Sequence, residues 1–219
     1  MMGVVHDALR RDLERTRHVL TAAQAPDHRR RVAVAEHLNW MMNFLRAHHR
    51  GEDDGLWPLV RERNPDAVAL LMQMDADHQQ VTPAIDAVES AAMSYRESAH
   101  EGARLTLTRA LESLDSVLLP HLRREEDEAM PVVSASISEH DWQTWDQATN
   151  IKNKSPSQLG EEGHWLLDAL DPVRRDLVTH LVPAIPRFVL VHAFGRRYRR
   201  HAAIRWGTGQ AAGQLDTAT

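Results

Sequence analysis

The sequence predicts an all-α protein: an up-down-up-down four-helix bundle followed by a helical C-terminal extension. Three observations predict it. Apolar residues recur at steps of three and four through four long stretches of the first 133 positions, the period of a helix with one buried face. Turn-forming residues, Ala25-Pro26-Asp27, Asn64-Pro65-Asp66 and Ser98-Ala99-His100-Glu101-Gly102, separate those stretches. Two of the stripes end in the same pattern, His-x-x-x-Glu, 73 residues apart.

The first helix runs from Val5 to about Thr21 with Leu9, Leu13 and Leu20 on its stripe, and His6 shares that face. The second runs from roughly His28 to Arg63; Gly51 and Gly55 weaken it, and Pro58 should bend or end it. Its stripe Val34, Leu38, Met41, Leu45 leads into His48 and Glu52 at steps of 4, 3, 4, 3 and 4. The third carries Leu71, Met74, His78, Val81, Ile85, Val88 and Ala92, with Pro83 expected to kink it one turn after the histidine. The fourth, through Leu107, Leu111, Leu114 and Leu118, leads into His121 and Glu125 with the same steps and reaches about Met130.

Beyond this, Trp142 and Trp145 stand among polar residues, Lys152 to Ser157 reads as a linker, and a helix is expected from near Gln158 to Leu170. Leu177 to Phe194 is mostly apolar but broken by Pro183 and Pro186, too short and interrupted to span a bilayer. Arg187, Arg196, Arg197, Arg199, Arg200 and Arg205 follow Asp176 with no acidic residue before Asp216. Such a cluster is read first as a solvated helix face, and otherwise as a surface for a partner or an anionic membrane. The expected organisation is therefore a bundle over 1–133, a helical extension over 134–207 and a disordered tail over 208–219.

Composition narrows the chemistry. A net charge of -5 argues against nucleic-acid binding by the whole molecule. The absence of cysteine excludes thiolate sites, leaving nitrogen and oxygen as the available metal donors, and 14 histidines are present. The N-terminal residues lack the charged and apolar regions of a secretion signal, so a cytoplasmic location is expected.

A stripe that changes from apolar residues to imidazole and carboxylate needs a reason, because burying such groups without a partner costs several kcal/mol each. A His and a Glu four residues apart lie one above the other on a helix and reach the same point. His48 is favoured over His49 as the stripe residue because the repeat aligns it with His121. Across the bundle, His6 with His48 and Glu52, and His78 with His121 and Glu125, supply four imidazoles and two carboxylates. These can hold two divalent metals, with bridging carboxylates. Asp53, Glu126 and Asp7 are candidates to accept a hydrogen bond from a ligand histidine. The Glu-x-x-His spacings Glu97/His100 and Glu161/His164 are set aside, since neither sits in a run of apolar heptads.

His6-Asp7-Ala8-Leu9-Arg10, His48-His49-x-x-Glu52-Asp53-x-x-Leu56-Trp57-Pro58, His78, and His121-x-x-x-Glu125 with Pro131 resemble the bacterial hemerythrin-like (HHE cation-binding) domains over about residues 3–133. The resemblance implies a four-helix bundle with two iron ions, bridged by Glu52, Glu125 and an oxo or hydroxo group. Oxygen-carrying members place two histidines four apart on the third helix, whereas here the positions four from His78 are Met74 and Thr82. Their last carboxylate is an Asp five residues after its histidine, whereas Glu125 follows at four. One ligand position is thus left to water or to His49. The implied function is binding of dioxygen or nitric oxide for sensing, storage or an oxidative-stress response. The alternatives are catalase- or peroxidase-like removal of hydrogen peroxide, with His49 as proton carrier, and a metal-stabilised bundle that recruits a partner or membrane.

Overall fold

The computed structural model of the chain describes residues 2–180 and 194–207, and every regular element among them is helical. In order these are α1 (Met2–Thr21), α2 (His28–Gly51), a π-helical turn (Glu52–Leu56), α3 (Trp57–Arg63), a 3₁₀ turn (Pro65–Ala67), α4 (Val68–Glu97) and α5 (Glu101–Arg124). A second π turn (Glu125–Ala129), α6 (Met130–Ser136), α7 (Glu139–Asp146), a third π turn (Gln147–Ile151), α8 (Pro156–Leu167), α9 (Pro172–His180) and α10 (Gly195–Trp206) follow. The helical bundle fold expected from the stripes is present. No helix among the described residues is long and apolar enough to cross a membrane.

The 73-residue repeat extends to the backbone: each of the first two π turns begins at the motif glutamate and has a proline just beyond it. In an α-helix a proline lacks the donor for the carbonyl four residues back and its ring collides with that carbonyl. Here the preceding N–H groups already reach one residue further: Trp57 donates to Glu52 O and Met130 to Glu125 O. Such wide turns occur mostly as single insertions in α-helices. Helical backbone accordingly continues through Pro58 to Arg63, and through Pro131 to Ser136, six residues past the expected end.

The chain forms two compact units, residues 35–153 and residues 1–34 with 154–219. In the first, the predicted stripes are the core: Leu38, Met41 and Leu45 of α2, Leu71, Met74 and Val81 of α4, and Leu107, Leu111, Leu114 and Leu118 of α5 are all fully buried. Burial of each such side chain stabilises by about 1.5–3 kcal/mol before entropy is counted. α2 and α4 run antiparallel, as Arg96 pairs with Glu36 (3.3 Å), Asn39 meets Met93 (3.2 Å) and Arg46 binds Asp86 (2.9 Å) and Glu89 (2.8 Å). α5 returns along α4, so that Arg124 near its end binds Asp77 near the start of α4.

α7 belongs to this unit and accounts for Gly51, at the end of α2, and Gly55, in the π turn after it. Ser138 caps it through a box with Asp141, and Trp145 turns back to donate from Nε1 to Gly51 O at 2.9 Å. A Cβ at Gly55 would lie 2.8 Å from Trp145 Cδ1, and one at Gly51 would lie 2.3 Å from Thr149 Cγ2. The glycines let α7 and the turn after it approach the backbone closely.

In the second unit, Asp12 of α1 is fully buried and accepts from Arg11 Nε (2.8 Å), Arg15 Nη1 (3.1 Å) and Trp165 Nε1 of α8 (3.0 Å). Charge-assisted bonds of this kind offset the cost of burying a carboxylate. Arg30 donates to the carbonyls of Arg205 (2.9 Å) and Trp206 (3.2 Å) at the end of α10. α8 starts at Pro156, two residues before the expected position, because Ser155 serves as N-cap in a box with Gln158 and Pro156 takes the first helical position. It ends at Leu167 rather than Leu170. The apolar stretch expected over Leu177–Phe194 falls largely outside the described residues, as do Arg187 and the tail from residue 208.

Candidate metal centre

Six of the chemistry-bearing side chains converge at the motif end of the 35–153 unit. His48 and His49 come from the last turn of α2, Glu52 from the π turn, His78 from α4, His121 from α5 and Glu125 from the second π turn. All are buried, with Glu52 and Glu125 at 0% exposure. Glu52 lies between two histidines: Oε1 is 3.3 Å from His48 Nε2 and Oε2 is 3.5 Å from His78 Nε2. Glu125 Oε2 is 3.7 Å from His121 Nε2.

The donors fall into two lobes. His49, His78 and His121 each direct a ring nitrogen into one, with those atoms within 4.8 Å of one another. In the other, ligand atoms of His48 and Glu125 lie within 4.8 Å. Glu52 offers one oxygen to each lobe and Glu125 has an oxygen near His121 as well as reach to His48. Phe44 stacks on His48 at 6.2 Å between ring centroids, and His49 stacks on His78 at 4.1 Å.

A neighbouring carboxylate orients one of the rings, and a second stands near another. Asp53 Oδ1 lies 2.7 Å from His78 Nδ1, so that Nδ1–H donates outward and the Nε2 lone pair faces Glu52. Asp77 Oδ2 stands 3.8 Å from His121 Nδ1 and is itself held by Gln73 Nε2 (3.0 Å to Oδ1) and by Arg124. Asp53 is the partner the sequence offers. Asp77 escapes a sequence reading because it lies off the apolar stripe of α4, and only the return of α5 brings His121 to it.

The electrostatics suit a bound cation. Burial, then the nearby Glu125 carboxylate, then Asp53, push the Glu52 carboxyl well above the usual carboxylate range. Both Glu52 oxygens and His78 Nε2 are buried with no hydrogen-bond partner, the kind of atom that costs most when it meets neither water nor a donor. A bound cation would supply what these lone pairs lack, and the nitrogen and oxygen donor set fits metals that bind imidazole and carboxylate.

His6 is fully buried on α1, in the unit formed by 1–34 and 154–219. The discounted His164 stacks on Tyr198 at 5.9 Å, and among the described residues neither Glu-x-x-His pair joins a cluster of metal donors.

A helical fold with buried imidazoles and carboxylates in two lobes defines an all-α cation-binding protein. The hemerythrin HHE cation-binding domain matches residues 1–133, and the chain belongs to that family. No curated protein and no solved structure matches the chain.

Proposed function

We propose that the protein is a non-haem di-iron protein that binds dioxygen or nitric oxide at a His/Glu-bridged centre, for sensing, storage or response to oxidative stress. The observation that carries the two-ion reading is Glu52, whose oxygens face histidines of different lobes at 3.3 and 3.5 Å. In this reading His6, His48, His78 and His121 are terminal ligands and Glu52 and Glu125 bridge. His6 enters through the family pattern. Iron is chosen over other ions that suit the same donors by the family resemblance, and two ferrous ions would together offer two electrons to dioxygen.

The chain's own residues set the conditions. Asp53 holds His78 in the tautomer that presents Nε2 inward. Leu45 and Leu118, three residues before His48 and His121, and Met41 and Leu114, one turn further back, are fully buried and bar water and protons from that side. Imidazoles outnumber carboxylates among the ligands, so the reduced ions carry little excess anionic charge, which resists loss of electrons.

Peroxide turnover was expected of an open ligand shell. His49, within the lobe of His78 and His121, favours a filled shell and hence binding over turnover. The expectation of an anionic partner at the arginine cluster rests on Arg196, Arg197, Arg199 and Arg200 of α10, which are exposed. A cytoplasmic location is part of the same reading.

Elemental analysis of the full chain, expressed with iron and purified without chelator, tests the core of it. About two irons per chain, with spectra altered by dioxygen or nitric oxide, are expected. Zinc alone, or no metal, would overturn it; hydrogen peroxide breakdown at substantial turnover would transfer the protein to the enzymatic alternative.

A further inference from the structure

We propose that His49 is a metal ligand, supplied by α2 in place of a second histidine on α4. The inference rests on the two-metal reading above and concerns how this chain fills the lobe that holds His78 and His121.

On α4 the positions one turn either side of His78 carry no imidazole. Met74 is fully buried, and Thr82 is committed elsewhere, its Oγ1 donating to His78 O at 2.9 Å. The lobe nevertheless contains three imidazoles, because His49 enters from α2. Its ring lies parallel to that of His78, at 4.1 Å and 10°, and edge-on to His121, at 4.9 Å and 82°. Ring nitrogens of all three lie within 4.8 Å of one another, and His49 is 5% exposed.

Packing alone is a poor account of this trio. Stacked neutral rings need no common focus for their nitrogens, and His78 Nε2 faces that focus buried and without a hydrogen-bond partner, while its Nδ1 is engaged by Asp53. A ring already oriented by a carboxylate on its far nitrogen is arranged as ligands are. Adjacent residues on a helix point about 100° apart, given 3.6 residues per turn. His48 and His49 therefore cannot serve the same lobe, and the structure sends them to different ones. The doubled histidine assigns one ring to each lobe. The proton-carrier role expected for His49 gives way to a ligand role.

Cobalt(II) is a suitable probe, since its bound histidine rings give strongly shifted exchangeable N–H signals in proton NMR. Titrated into the metal-free full chain, cobalt should bind at about two ions per chain, and His49→Gln should bind one ion at least tenfold more weakly and show one shifted imidazole signal fewer. His37→Gln, at a buried ring stacked on Trp40, should change neither. Met74→His added to His49→Gln should restore the missing signal by placing an imidazole one turn before His78. Should His49→Gln fail to fold, assigned ring-nitrogen shifts of His49 in the zinc-loaded wild-type chain decide the matter, moving to metal-bound values if it is a ligand. Two tightly bound cobalt ions and an unchanged signal count in His49→Gln, or unmoved His49 nitrogens in the zinc-loaded chain, would overturn the inference and leave the two-metal reading standing. No binding by the wild-type chain would overturn both.

Discussion

Replacing Gly55 with alanine sets two opposed effects against each other, and the structure says which wins. Alanine in a helix interior is favoured over glycine by about 1 kcal/mol. Against this, the new Cβ would stand 2.8 Å from Trp145 Cδ1 and 3.0 Å from Trp145 Nε1. The indole is 8% exposed and tied to Gly51 O, so it cannot swing into open solvent without loss. Overpacking of this kind costs about 1–3 kcal/mol, and breaking the indole hydrogen bond adds about 1 kcal/mol. The net expectation is a loss of about 1–3 kcal/mol. In a Trp145→Ala background the obstruction is gone, and the same Gly55→Ala change should stabilise by about 1 kcal/mol. The double-mutant cycle, read by urea denaturation of the metal-free chain, should thus give a coupling energy of about 2–4 kcal/mol and a reversal of sign. Equal destabilisation by Gly55→Ala in both backgrounds would refute the account of why a glycine stands there.

Three further expectations follow from the site and its surroundings. His48→Ala and His121→Ala should each lose at least one metal per chain by elemental analysis, and with it the stabilisation metal gives, about 4 kcal/mol per site at a metal concentration near 1,000 times Kd; His164→Ala should leave the metal content unchanged. Asp53→Asn should weaken metal binding about 10- to 100-fold in a chelator competition, because the amide disfavours the ring tautomer that the 2.7 Å contact with His78 Nδ1 selects; unaltered affinity would remove Asp53 from its orienting role. Glu162 concerns pH: burial raises its carboxyl above the ordinary range despite Lys154 at 2.6 Å. A raised folded-state value means the folded chain holds the proton longer than the unfolded one, so this group costs stability as pH rises from the ordinary glutamate range through the raised value. Glu162→Gln should therefore stabilise at pH 7 and be neutral near pH 4, as checked by thermal unfolding at both.

What the sequence made legible is what one helix can report about itself. Steps of three and four located the buried faces of α2, α4 and α5 and put His48, His78 and His121 on them. What lies about 100° around a helix from its stripe depends on the neighbours, and there the reading ran out. His49 is such a residue: its repeat partner is Leu122, so the stripe favours His48 and leaves His49 between substitute ligand and proton carrier; only the packing of α2 against α4 and α5 makes that direction inward. Asp77 is another, off the stripe of α4 until α5 returns past it. Gly51 and Gly55 read as weaknesses of the second predicted helix, since the side chains they make room for, Thr149 and Trp145, come from more than 80 residues away in the chain. The prolines were visible, but whether Pro58 would break the helix turned on a wide turn that no local propensity announces.

Those wide turns carry a consequence for anyone aligning this chain with another. Each holds a surplus residue, and one residue is worth about 100° of helix rotation. It is this rotation that keeps Leu56 and Val60, and Ala129 and Val133, buried although they follow the glutamates at two successive steps of four. A homologue whose helix lacks the surplus would match residue for residue up to Glu52 or Glu125. Beyond that point an ungapped alignment would pair inward positions with outward ones, and a one-residue gap between the glutamate and the proline would be the written trace of a turn that has narrowed.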